Sequence, residues 1–358
     1  MFGIFLTTVN AVVPIILLII LGYGLKRINF LNGSFLKFGN KLVFMVLLPC
    51  MLFINIYDSM DSFASIRWDV VLYTVIVVCV IFGIGLLTAI LITKKSERRG
   101  VILQCSFRSN FAIIGLALVE RLGGDTSLAG IVSAFSIPIF NILAVISLTV
   151  FVGKPTEEAV QLEIRTEGES EVKTVKKPGE IKNILLGIVK NPLIIGVAAG
   201  LLFVAVREIE RAICGGEVPF SFKTHLKFAY TAVADLKAIA SPLALIILGG
   251  QFEFSAVKGM TKEIVAGTVL RVVVTPLIGI GGAILLSLTP LVDFGAEVYP
   301  TFIALFATPV AVSSAIMAGA MKNDEQLATQ LVVWTSVSSI LTVFITVFLL
   351  MNFGLIAV

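Results

Sequence analysis

The chain has 358 residues, of which 58% are hydrophobic and 14% charged, with a formal net charge of +4 and a mean hydropathy of +1.04. Soluble domains are about 45–50% apolar, so this composition excludes an ordinary soluble domain. The Lys and Arg residues lie mostly in loops between apolar runs and form no basic stripe interleaved with aromatic residues, which argues against nucleic acid as a partner.

Apolar runs close to the ~20 residues needed to cross a bilayer recur along the chain. They predict an all-α integral membrane protein, with ten transmembrane helices embedded in the lipid bilayer. We predict the ten spans at about residues 8–25, 36–57, 68–93, 99–121, 126–152, 184–206, 228–250, 263–288, 298–321 and 325–352. The four cysteines have no metal-binding spacing, and neither a metal nor a cofactor is predicted.

A charged segment, Gly153 to Lys182, separates the fifth predicted span from the sixth. Its apolar content is too low to build a core. We therefore predict a first five-helix repeat over residues 1–152, a linker over 153–182 and a second five-helix repeat over 183–358.

The distribution of basic residues predicts the orientation, because loops rich in Lys and Arg stay cytoplasmic. Alternate loops carry Lys94 and Lys95, then the linker, then Lys258 and Lys262, then Lys322. These loops and the linker are predicted to lie on the cytoplasmic side of the cell membrane, and both termini are predicted to lie outside. Five spans per half is an odd number, so the second half enters from the opposite side, as in an inverted repeat.

The two halves also match in residues. When the fourth and fifth spans are shifted by 199 residues, the identical pairs include Ala112 and Ala311, Asp125 and Asp324, Leu128 and Leu327, and Ala129 and Ala328. Farther upstream, Pro49 matches Pro242 at an offset of 193. Chance matching of apolar residues is the alternative, and the shared Asp-x-x-Leu-Ala favours duplication.

Polar and helix-breaking residues inside spans are costly in lipid and mark candidate sites. Two such groups occupy matching positions of the two halves, and half-helix N-termini at such positions attract anions. The candidate substrate-binding residues are Arg108, Ser109 and Asn110 in the fourth span, and Thr308, Pro309, Ser313 and Ser314 in the ninth. The alternatives are a snorkelling or internally paired Arg108 and an ordinary kink at Pro309.

Four further residues could interrupt helices or support this site: Asn40 and Pro49 in the second span, and Asp235 and Pro242 in the seventh. Asp235 lies near one end of its span, where it can also simply reach water. Arg271 can be read as a member of a packed ion pair, and Asn141, near Pro138, as part of a packed kink.

Neither HExxH, nor a GxxxxGK(S/T) loop, nor GxSxG occurs, so the sequence predicts no enzyme. The leading hypothesis is a transporter of small organic anions. A sodium-coupled carrier of the bile-acid type would need buried carboxylates and amides at the site, where only Asn110 and Gln104 are evident. A membrane sensor that uses the fold only for binding would usually carry an extra domain, and we expect none.

Four motifs in order resemble those of the auxin efflux carrier family, which includes plant auxin exporters and prokaryotic permeases for malate or malonate. They are FGNKLVFMVLLPCMLF from Phe38, FRSNFAIIGLAL from Phe107, SPLALIILGGQF from Ser241 and ATPVAVSSAIMA from Ala307. The resemblance covers nearly the whole chain apart from the linker.

This resemblance implies ten helices with the fourth and ninth broken and crossing, and an elevator-like movement of a transport domain against a scaffold. It also implies that Asn110 meets a substrate carboxylate and that Pro309 marks the second break. The chain has Ser109 where plant members have a proline before this Asn. Arg108 and the short linker look more like the prokaryotic permeases, which favours a small carboxylate such as malate or malonate over auxin. Coupled protons or ions and a homodimer are compatible with this reading.

Overall fold

The computed structural model of the chain describes residues 2–59, 66–152 and 190–356, and the linker predicted over 153–182 lies outside them. Within these ranges the chain is helical and contains no β-strand. The helices, numbered in chain order, are α1 (Phe2–Arg27), α2 (Gly33–Asp58), α3 (Trp68–Ile92), α4 (Ser96–Phe107), α5 (111–121), α6 (Thr126–Val150), α7 (Pro192–Ile213), α8 (Phe222–His225), α9 (Lys227–Gln251), α10 (Phe254–Val257), α11 (Thr261–Ser287), α12 (Ala296–Ala307), α13 (Ser313–Ala320) and α14 (Glu325–Asn352).

Seven helices of the described residues are long and apolar enough to cross a membrane: α2, α3, α6, α7, α9, α11 and α14. Each overlaps one of the predicted spans. The chain is therefore a multi-pass membrane protein, as the composition predicts.

The boundaries of the sixth predicted span, 184–206, differ from those of α7. The side chain of Asn191 accepts a hydrogen bond from the Leu193 N–H, and Pro192 occupies the first turn, so the helix begins there. At its other end α7 continues to Ile213 through Glu208 and Arg211, which pair at 2.8 Å. The last turns of α7 are therefore charged, and the apolar part of the helix ends before them.

A first bundle consists of α1, α2, α7 and α9, in which α9 packs against α1 and α2, and α2 packs against α7. Small residues allow two of these contacts to be very close. A Cβ atom at Gly22 of α1 would collide with the carbonyl of Ile246 in α9, and one at Gly249 of α9 would collide with the carbonyl of Ile19. The backbones of α1 and α9 are therefore in direct contact at both positions.

A second bundle consists of α3 to α6 and α11 to α14. The repeated Asp-x-x-Leu motif has the same role at both its positions, because Asp125 accepts from the Leu128 N–H at 3.1 Å and Asp324 from the Leu327 N–H at 2.9 Å. These bonds cap the N-termini of α6 and α14. The shared residues therefore start equivalent helices directly after the interrupted ones.

An ion network ties the second bundle together beside the start of α4. Arg98 pairs with Glu263 of α11 at 2.8 Å and with Asp324 at 2.9 Å. All three side chains are largely buried, so solvent screens these pairs less than surface pairs. The network holds α4, α11 and α14 in one unit around the interrupted helices.

Candidate anion site

Two helices are interrupted at the centre of the second bundle. Residues 108–110 separate α4 from α5, and residues 308–312 separate α12 from α13. The two extended segments run antiparallel and pair through the backbone: the Asn110 N–H donates to the Pro309 carbonyl at 2.8 Å, and the Ala311 N–H donates to the Arg108 carbonyl at 3.1 Å. The breaks expected near Asn110 and Pro309 thus contact each other directly.

The second break follows from proline chemistry. Pro309 has no N–H and disfavours helix at Thr308, whose φ and ψ of −72° and 155° are extended. The first break forms without a proline, with Arg108 extended at φ −81° and ψ 98°. The two backbone bonds to the second break satisfy the Asn110 N–H and the Arg108 carbonyl, while the Arg108 N–H keeps its helical bond to the Gln104 carbonyl.

A cavity of about 50 Å³ lies against the paired breaks. Arg108, Ser109, Asn110 and Ser313 contribute from the second bundle, with Asn141 of α6 beside them. The facing wall belongs to the first bundle and consists of Leu48, Met51 and Leu52 of α2 and Ser241 and Ala244 of α9. The cavity therefore lies between the two bundles.

Arg108 brings a buried positive charge to this cavity. Its side chain is only 4% exposed, and its guanidinium donates to Asn141 Oδ1 at 2.7 Å and to Met317 Sδ at 3.0 Å. Among the described residues no carboxylate pairs with it. A buried charge normally has an opposite charge beside it, so this cavity suits an anion.

Neutral donors surround the same space. Asn110 Nδ2 and Ser109 Oγ are buried and have no hydrogen-bond partner among the described residues. The first turns of α5 and α13 begin here as well, and N–H groups in a first helical turn have no partner within their own helix. Both helices direct the positive end of their dipoles to the cavity.

The other predicted site residues are placed differently. Thr308 is buried, its hydroxyl donates to the Ala304 carbonyl at 2.7 Å, and it does not line the cavity. Pro309 does not line the cavity, and its carbonyl accepts the hydrogen bond from the Asn110 N–H that pairs the two breaks. Ser314 lies behind the cavity, where its carbonyl accepts from Gln104 Nε2 at 2.9 Å.

The four supporting residues do not gather in one place. Asn40 donates to Glu325 Oε1 at 2.7 Å, and both residues line a separate, larger cavity. The backbone of Pro49 lies against Gly196 of α7, and Pro242 follows the cavity-lining Ser241. Asp235 is exposed on α9 and does not line the cavity.

Three residues near the site were missed or read otherwise from the sequence. Asn141 accepts from Arg108 rather than serving only a kink, and Ser241 lines the cavity. The sequence allows a packed ion pair for Arg271, whereas in the structure its guanidinium bonds backbone carbonyls at both breaks. The available signal was the cost of each polar side chain in an apolar span.

The described residues contain no group of three or more His, Cys, Asp or Glu residues that could hold a metal ion.

A family model described as membrane transport protein matches residues 7–347, which include both breaks and every cavity-lining residue. No curated protein matches the chain.

Proposed function

The chain belongs to the membrane transport protein family, which is that of the auxin efflux carriers, and we propose that it is a secondary active transporter of a small organic anion. The resemblance drawn from the four sequence motifs is thereby confirmed at the level of the family. The proposed substrate is a carboxylate such as malonate or malate.

The observation that carries this proposal is the charge of Arg108. A guanidinium matches a carboxylate in shape and forms paired hydrogen bonds with it, and this one lacks an acidic partner among the described residues. Asn110 Nδ2 supplies a neutral donor in the same wall. We assign Arg108, Ser109, Asn110 and Ser313 to direct binding, and Thr308, Pro309 and Ser314 to the backbone that shapes the site.

The size of the cavity argues for movement during transport. About 50 Å³ holds only a few water molecules, at ~10–15 Å³ for each. A three- or four-carbon acid needs more room, so α2 and α9 must separate from the breaks. The second bundle carries the proposed binding groups and the first provides only the facing wall, which supports an elevator-type movement of one against the other.

We propose ten transmembrane spans in two inverted repeats. The seven long apolar helices, α1 and the two interrupted pairs α4–α5 and α12–α13 make up this number. The equivalent caps at Asp125 and Asp324 and the equivalent breaks support the duplication.

Reconstitution tests the function. Purified protein in proteoliposomes should accumulate labelled malonate or malate above protein-free liposomes and should not accumulate choline, a cation of similar size. The same assay with imposed proton or sodium gradients identifies the coupling ion. Failure of every carboxylate in a panel that also contains indole-3-acetate, or equal uptake of choline, would overturn the proposal.

A further inference from the structure

Arg271 is the largest fully buried side chain of the described residues, with 0% exposure. It lies in a π-helical turn of α11, Leu270–Val274. Its guanidinium donates on one side to the carbonyls of Leu305 at 3.0 Å and Thr308 at 2.8 and 2.9 Å. On the other side it lies 3.3 Å from the carbonyl of Phe107 and 3.4 Å from that of Ser106.

These carbonyls belong to the C-terminal ends of α4 and α12. The last carbonyls of a helix have no partner within the helix and carry the negative end of its dipole, so a cation there is favourable. In lipid such groups must find an internal partner. One planar guanidinium with five donors serves both ends at once, which an ammonium with three donors on a flexible stem cannot do equally well.

The position of these ends determines the position of the cavity wall. Arg108 directly follows Phe107, the last residue of α4, and Asn110 lies two residues after Arg108. At the second break, Ser313 lies five residues after Thr308. A displacement of either helix end is therefore carried directly into the cavity.

We propose that Arg271 is a positioning residue that holds the two half-helix ends at a fixed separation and thereby sets which length of carboxylate the site accepts. The selectivity part of this inference rests on the proposed function. Arg271 does not line the cavity and has no acidic partner among the described residues, so its contacts are with the backbone.

The first test is hydrogen–deuterium exchange on purified Arg271→Lys, which requires no substrate. Amide exchange should accelerate in residues 104–115 and 303–315, by roughly tenfold or more, because charge-assisted bonds to both ends are lost. The matched control is Arg98→Lys, the same substitution in the ion network that joins the same helices α4 and α11. If the control accelerates these segments equally, Arg271 has only a general stabilising role and the proposal is overturned.

A milder variant keeps the test valid if Arg271→Lys does not fold. The Thr275 hydroxyl shares its proton between the Leu270 carbonyl of its own helix at 2.9 Å and the Ser106 carbonyl at 3.1 Å, and it bonds no carbonyl of α12. Thr275→Val should therefore accelerate exchange in 104–115 and leave 303–315 unchanged. Acceleration on neither side would contradict the proposed fixation of the α4 end.

The second test measures the affinities of malonate and malate for the same variants. Arg271→Lys should change the ratio of the two affinities by roughly tenfold, since misplacing binding groups by about 1 Å has large effects, whereas Arg98→Lys should preserve the ratio. A lower melting temperature with an unchanged ratio would refute the selectivity role. If wild-type protein binds neither acid, the proposed function fails, and the exchange experiment alone still decides whether Arg271 fixes the two ends.

Discussion

In the wall of the cavity, Asn110 provides a buried amide donor that has no hydrogen-bond partner in the described part of the chain. A hydrogen bond to a charged ligand contributes about 1.5–3 kcal/mol, so Asn110→Ala should weaken malonate binding by roughly ten- to a hundredfold. Isothermal titration of the purified variant measures the change. The control is Asn323→Ala, whose amide donates to the Leu148 carbonyl at 3.0 Å, away from the cavity, and which should keep wild-type affinity. Equal affinities for Asn110→Ala and wild type would remove Asn110 from the site.

Arg108 combines charge with a fixed geometry, held by Asn141 Oδ1 at 2.7 Å. Arg108→Lys keeps the charge but loses the fork that matches a carboxylate, so we expect at least about a tenfold loss of affinity. Arg99→Lys is the matched control on the same helix, since Arg99 bonds only the carbonyl of Thr93 among the described residues. A purely structural Arg108 predicts the opposite pattern, a lower melting temperature with normal affinity in the folded fraction.

The sequence predicts site residues from polar or charged side chains inside apolar spans, which are costly to place in lipid. Arg108, Asn110 and Ser313 line one cavity, as their matching positions in the two halves suggest. Sequence alone could not separate Arg108 from Arg271, because both are arginines in apolar spans and differ only in what surrounds them. The neighbours of Arg271 are carbonyls of two helices distant in the chain, and a one-dimensional pattern does not contain that proximity.

At the scale of single helices, the close backbone contact between α1 and α9 predicts how glycine substitutions in α1 change the stability of the protein. Gly22→Ala should destabilise the protein by about 1–3 kcal/mol, because its Cβ would collide with the carbonyl of Ile246 and force the helices apart. Gly24→Ala, two residues along the same helix, has open space at its Cβ and should be neutral or slightly stabilising, since Ala favours helix over Gly. Thermal unfolding in detergent compares the two, and equal shifts would show that the contact is unimportant.

The sequence predicts where helices lie more easily than where a helix is broken. The long apolar runs predict α2, α3, α9 and α14 well, because membrane thickness sets their length. The break after Phe107 has no proline, and the paired second break supplies its backbone partners. Such a break depends on a contact between positions about 200 residues apart, so only the proline-containing break has a local cause in the sequence.

At the scale of the whole molecule, the loops predicted to be cytoplasmic contact one another. Arg98 donates to the Gly259 carbonyl at 3.0 Å, and Asn323, between α13 and α14, donates to the carbonyl of Leu148 near the end of α6 at 3.0 Å. The loops predicted outside also meet, since Arg67 pairs with Glu297 at 3.3 Å. This separation agrees with a chain that crosses the membrane repeatedly, and which side is cytoplasmic stays a prediction from the basic residues.

The orientation is the final prediction, and two loop positions can test it. Cys214 is an exposed native thiol beyond the end of α7, in a loop predicted to face outward, and Lys258 is exposed in a loop predicted to be cytoplasmic. With the remaining cysteines replaced, a membrane-impermeant maleimide should label Cys214 in intact cells. Lys258→Cys in a Cys214→Ser background should label only after permeabilisation. The reverse pattern would invert the proposed orientation of the whole molecule, because each span carries the chain to the other side of the membrane and one placed loop therefore fixes every other loop.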